Sequence, residues 1–190
     1  MESAMIISCP EKSTAFFTEI LKEASVKQIT AVQSCGEARR ILLERTFDLV
    51  VIDAPLSDES GEDIALYIAA KSDSPQVILA VKNEHFEAIT TACENDGVLT
   101  ISKPINKAVF WSALALAKST HGRIAKMKTE GASLKQKIDD IRINDRAKLI
   151  LISHLGMNEK EAHRHIEKQA MDLRTTKRTV AEGILKTYEN

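Results

Sequence analysis

Over residues 1–118, short aliphatic runs alternate five times with longer stretches of helical period, and this rhythm limits the chain to few folds. The runs fall at 5–8, 28–32, 49–52, 77–81 and 98–101. The helical stretches fall at 14–23, 37–45, 62–70, 85–95 and 107–118. Five strands, each followed by a helix, imply an α/β unit: a five-stranded parallel sheet covered by helices on both faces. In such sheets chemistry gathers beyond the carboxyl ends of the strands. Three signals fall there: Asp53 directly after Leu49-Val50-Val51-Ile52, Gly61 eight residues later, and Lys103-Pro104 directly after the fifth run.

At 190 residues and 44% hydrophobic content, the chain has room for that unit and a small second one. No apolar run approaches the ~20 residues needed to span a bilayer, and Met1-Glu2-Ser3-Ala4-Met5 lacks the basic start of a signal peptide. The chain reads as cytoplasmic, with no membrane partner. Cys9, Cys35 and Cys93 lack C-x-x-C spacing and read as reduced, core or near-core thiols. Charge is divided unevenly. Residues 1–120 carry 11 Lys and Arg against 17 Asp and Glu, whereas residues 121–190 carry 15 against 10. A polyanion would therefore meet the back half.

The placement of Asp53, Gly61 and Lys103-Pro104 resembles the receiver domain of two-component signalling, a flavodoxin-like fold. The resemblance implies that Asp53 is the phosphoacceptor candidate and Lys103 its phosphate-site partner. It also implies a pair of acids after the first strand, which with the aspartate hold Mg²⁺ during phosphoryl transfer. Here that pair is replaced by Cys9 and Pro10, and Glu11 stands one place too far along. The hydroxyl residue expected at the end of strand four is Ala80, and the aromatic switch residue of strand five is Thr100. These departures argue against Mg²⁺ and standard phosphorylation. They favour a pseudo-receiver in which Asp53 is a partly exposed carboxylate paired with Lys103.

From Lys107 to Asp145 there is no proline and only Gly122 and Gly131, so the fifth helix can run on. Ile124, Met127, Leu134, Ile138 and Ile141 follow 3 and 4 spacing if Gly131 takes one core place, a heptad pattern of about three repeats. That pattern predicts a homodimer through a short coiled coil. Three amphipathic helices follow. The first presents Ile143, Ala147, Ile150, Leu151 and Leu155, and Gly156 supplies a left-handed stop. Asn158, with Glu161 three places on, opens the second, whose stripe is Ala162, Ile166, Ala170 and Leu173. The third begins at Thr175 or Thr176 and carries Val180, Ala181, Ile184, Leu185 and Tyr188. Three such stripes close a small bundle.

Ala147-Lys148, Glu161-Ala162, Ala170-Met171 and Ala181 stand where the ANTAR domain has them, and the stretch 143–185 resembles that RNA-binding antiterminator module. Leu149 replaces the glycine usual after the lysine. The resemblance implies binding of RNA hairpins in nascent mRNA and transcription antitermination. It points to Lys148 first, then Arg174, Lys177 and Arg178. Lys177 and Arg178 stand in a first helical turn, where the macrodipole disfavours cations and free amides favour phosphate. The implied plan is a receiver-like domain at 1–120, a coiled-coil linker at 121–142 and an ANTAR bundle at 143–190. A sensor kinase or a protein ligand would supply the signal. The alternative is a protein-docking adaptor with a non-phosphorylated receiver.

No Ser-His-Asp or Cys-His set, Gly-rich phosphate loop or catalytic carboxylate pair is present, so the chain reads as no enzyme. His163 and His165, two apart on a helix, face different ways, so with His154 they make no metal site. Phe110 and Trp111 read as packing residues.

Overall fold

The structure is a computed structural model that describes residues 1–71 and 75–188; residues 189–190 of the expected bundle lie outside it. It divides into two compact units, Met1–Ala125 and Lys126–Asn190, each described by itself.

In the first unit, β1 (Ser3–Ile7), β2 (Gln28–Val32), β3 (Leu49–Asp53), β4 (Gln76–Lys82) and β5 (Val98–Lys103) form one parallel sheet in the order β2-β1-β3-β4-β5. Between them come α1 (Glu11–Glu23), α2 (Cys35–Glu44), α3 (Glu62–Ala69) and α4 (Phe86–Cys93), the last flanked by two 3₁₀ turns, and α5 (Lys107–Leu155) follows β5. Successive side chains of a strand point to opposite faces, and the two cores divide accordingly. Met5, Ile7, Val50, Ile52 and Leu79 pack with Cys35, Ile64 and Ile68 on one side. On the other, Ile6, Leu49, Val51 and Ile78 pack with Phe17, Ile20, Phe110 and Leu114. Phe110 is fully buried and Trp111 packs beside it, as expected of packing residues.

Strand order reverses beside β1, so the crevice beyond β1 and β3 is where such a sheet presents its chemistry. β3, β4 and β5 run further than the aliphatic runs suggest, and Asp53 and Lys103 are the last residues of β3 and β5. Strand geometry, rather than a loop, sets their positions. Gly61 begins α3 at φ +91°, and a Cβ there would come 3.0 Å from the Cβ of Ala54. Only glycine meets both conditions without strain.

α5 is unbroken over 49 residues, passing through Gly122 and Gly131. Its heptad positions Ile124, Met127, Leu134, Ile138 and Ile141 are exposed by 39% to 67%. An aliphatic stripe left in water is unfavourable by about 25 cal/mol per Å². Among the described residues, no helix is long and apolar enough to cross a membrane.

In the second unit the end of α5 packs with α6 (Glu159–Asp172) and α7 (Lys177–Tyr188). Ala147, Leu151, Ala162, Ile166, Ala170, Val180, Ala181 and Ile184 form the core. Four alanines at the contact let the helices approach closely. α5 is followed by Gly156 at φ +65°, and α6 opens on a complete capping box between Asn158 and Glu161. α7 is preceded by Thr176, whose hydroxyl accepts from the Thr179 amide at 3.2 Å. Leu155, Leu173 and Tyr188, expected in the stripes, are instead 48%, 68% and 38% exposed. All three stand at helix ends, where the bundle has run out of neighbours to cover them. They border a groove that also contains Gly183.

Candidate functional site

The crevice beyond β1, β3 and β5 brings Asp53 and Lys103 together. Lys103 Nζ lies 2.5 Å from Asp53 Oδ1 and donates a second hydrogen bond to the Ala54 carbonyl, also at 2.5 Å. The other carboxylate oxygen, Oδ2, accepts from the Ser8 hydroxyl at 3.0 Å. The expected pair is present, but Asp53 is 3% exposed rather than partly exposed. The sheet explains this: Asp53 is paired in register with Ala80 of β4, inside the strand layer. Ser8, one residue past β1 and 1% exposed, did not stand out in the sequence. Its signal was position alone: β1 pairs Ile7 with Ile52, so the next residue of each strand faces its counterpart.

A cavity of about 300 Å³ lies over this pair, lined by Pro10, Lys12, Phe16, Asp53, Lys103 and Pro104 among others. Mg²⁺ needs a near-octahedral set of oxygen ligands. The lining offers one carboxylate, already held by Lys103 and Ser8, and adds the ammonium of Lys12. Cys9 Sγ donates to the Gln33 carbonyl at 3.0 Å. The donor set present here does not fit Mg²⁺.

One cluster with metal-ligating atoms exists among the described residues, Cys35, Asp58 and Glu59. Its donors are already used. Asp58 accepts from the amides of Cys35 and Gly36, each at 3.0 Å, at the start of α2. Glu59 forms a two-pronged pair with Arg39. Burial, with Asp58 next, pushes the Cys35 thiol up to about 12, so it stays protonated and a poor ligand. These contacts tie the loop between β3 and α3 to α2.

In the second unit the four basic candidates are held differently. Lys148 is 18% exposed and lies 2.8 Å from Asp145 and 3.5 Å from Glu159. The bond to Asp145 raises its pKa above the ordinary value. Lys177 pairs with Glu167 at 2.5 Å and lowers that carboxyl's pKa. Arg178 bridges Asp140 and Glu182, 2.7 Å from each, and holds Asp140 below the usual carboxylate range. The cations in the first turn of α7 thus have carboxylate partners that offset the helix dipole.

Arg174 is the exception. Thr175 N donates to the Ala170 carbonyl at 2.9 Å and Arg174 N to that of Met171 at 3.1 Å, which is the Schellman closure of α6. Arg174 occupies its left-handed position, at φ +50°, where glycine is usual. Its guanidinium has no partner among the described residues and is exposed. Sequence patterning does not reveal that strain, because arginine there looks like any residue after a helix.

Family models describe both units. The response regulator receiver domain matches residues 10–115, and the ANTAR domain matches residues 132–185. The transcriptional regulatory protein PdtaR of Mycobacterium tuberculosis is 29% identical over 169 residues, 89% of this chain and 82% of that protein. The aliphatic amidase regulator of Pseudomonas aeruginosa is 25% identical over 137 residues, 72% of this chain and 69% of that one. Among solved structures, the signal receiver domain of an HD domain-containing protein from Pseudomonas fluorescens superposes with a TM-score of 0.57. It is 18% identical and covers 66% of this chain and 94% of its own. That likeness concerns the fold.

Proposed function

We propose, since this chain belongs to the response regulators and joins a receiver domain to an ANTAR domain, that it binds hairpins in nascent RNA and promotes transcription antitermination. The observation that carries this reading is Arg174, a strained, exposed and unpartnered arginine within the ANTAR domain of the more basic half. Lys148, Lys177 and Arg178 support it as cations whose carboxylate partners a phosphate can replace, since charge-assisted bonds to phosphate are of the same kind. Lys148 contacts RNA by the tip of its side chain. Two copies associate through the exposed stripe of α5, which places two ANTAR domains on one RNA.

The receiver works without standard phosphorylation. Asp53 is held by Lys103 and Ser8, and the acids that would carry Mg²⁺ are absent from positions 9 and 10. A protein ligand, or a kinase used as a docking partner, then controls the RNA-binding half. Incubation with acetyl phosphate and Mg²⁺ is expected to leave the chain unmodified. A labile adduct that disappears in Asp53→Asn would overturn this part.

Antitermination is tested by transcription in vitro through a terminator that overlaps an upstream hairpin. Added protein is expected to raise read-through. Unchanged read-through despite bound RNA would leave an RNA-binding protein of some other role. A protein-docking adaptor is the second reading, favoured by Met171 and Leu173, which are 78% and 68% exposed on the same unit.

A further inference from the structure

We propose that the cavity shared by α5, α6 and the start of α7 seats one unpaired RNA base, and that it selects a base bearing an exocyclic amino group. The proposal rests on the RNA-binding reading and specifies where a loop base goes. The cavity measures about 220 Å³, below the ~300–1,000 Å³ of pockets for drug-sized ligands. It suits a single planar heterocycle. Ile166 gives it an apolar wall and His163 a ring against which a base can lie.

Asn144, in its lining, carries a hydrogen-bonding group left unbalanced in a way that points to the ligand. Asn144 donates from Nδ2 to the Asp140 carbonyl at 2.8 Å, which fixes its amide. The remaining oxygen, Oδ1, is buried and has no hydrogen-bond partner among the described residues. A buried acceptor without a donor lowers stability, and an unsatisfied group in a folded chain calls for a partner. Asp145 adds a second acceptor to the lining. The amino group of adenine, cytosine or guanine has two hydrogens that can meet both oxygens, whereas uracil offers a single N3–H flanked by two carbonyls that would face them.

The cavity's cations are Lys148 and Lys177, each paired with carboxylates. Asn144 Oδ1 is closed to water in the free chain, so the lining must yield before a base reaches it. The two lysine pairs are the contacts that an RNA phosphate can exchange. Backbone capture and base insertion are thereby coupled, and the phosphate positions while the base specifies.

The test uses the full chain and tandem hairpins of constant stem, with loops either of mixed sequence or entirely of uridine. Wild-type protein is expected to bind the mixed loops at least tenfold more tightly. Asn144→Leu, which removes the orphan acceptor at similar volume, is expected to lose most of that preference while melting at the same or a higher temperature. Mixed loops carrying 2-aminopurine at each position in turn give an independent reading. One position should change its emission with wild type and not with the variant. Equal preference in wild type and Asn144→Leu, or no responding position, would overturn the cavity assignment and leave RNA binding standing. No binding of any hairpin by wild type at low salt would remove both.

Discussion

Asp53 shows how much of a residue's role lies in its sequence neighbours and how much in the fold. An aspartate closing an aliphatic run, with Lys103-Pro104 closing another, was enough to predict the pair. Its burial and its bond to Ser8 were not legible, because both depend on the register of β1 against β3. Arg174 is the opposite case: its basic character was plain, but its left-handed backbone came from a helix end one residue after Leu173. Replacing it separates strain from function. Arg174→Gly should stabilise the ANTAR domain by up to about 1 kcal/mol, the left-handed strain of roughly 1–2 kcal/mol less the larger chain entropy of glycine. RNA affinity should fall several-fold in the same variant. Thermal melting and hairpin titration check the two effects, and undiminished affinity would exclude Arg174 from the interface.

At the scale of elements, the strongest local signals were the most reliable. Gly156 and the Asn158–Glu161 box mark the turn between α5 and α6 because each solves a backbone problem within a few residues. Leu155, Leu173 and Tyr188 share the periodicity of the stripes yet lie exposed, because periodicity assigns a face but not how far the neighbouring helix extends. The continuity of α5 was only permitted by the absence of proline. Gly131 interrupts nothing, and a Cβ added there meets no atom within 4 Å. Gly131→Ala should therefore strengthen this helix by about 1 kcal/mol. Circular dichroism on heating should show a higher midpoint, and a lower one would mean that the glycine serves a close contact.

The whole molecule joins an acidic receiver domain, with Cys9 and Pro10 in place of an acidic pair beside Asp53, to a more basic ANTAR half. The domain types were legible because each rests on patterns spread over many residues. The proposed control of one by the other was not, since a partner's binding surface leaves no periodic trace. Sedimentation is expected to show a dimer for wild type and a monomer for Leu134→Glu, because a charge in the stripe would be desolvated on pairing. A dimer in the variant would move the contact elsewhere. The most direct test of the central claim is a titration of the full chain against tandem-hairpin RNA at increasing salt. Binding is expected at low salt, with log K falling linearly in log salt as phosphate counterions are released. No binding at low salt by the folded protein would contradict it.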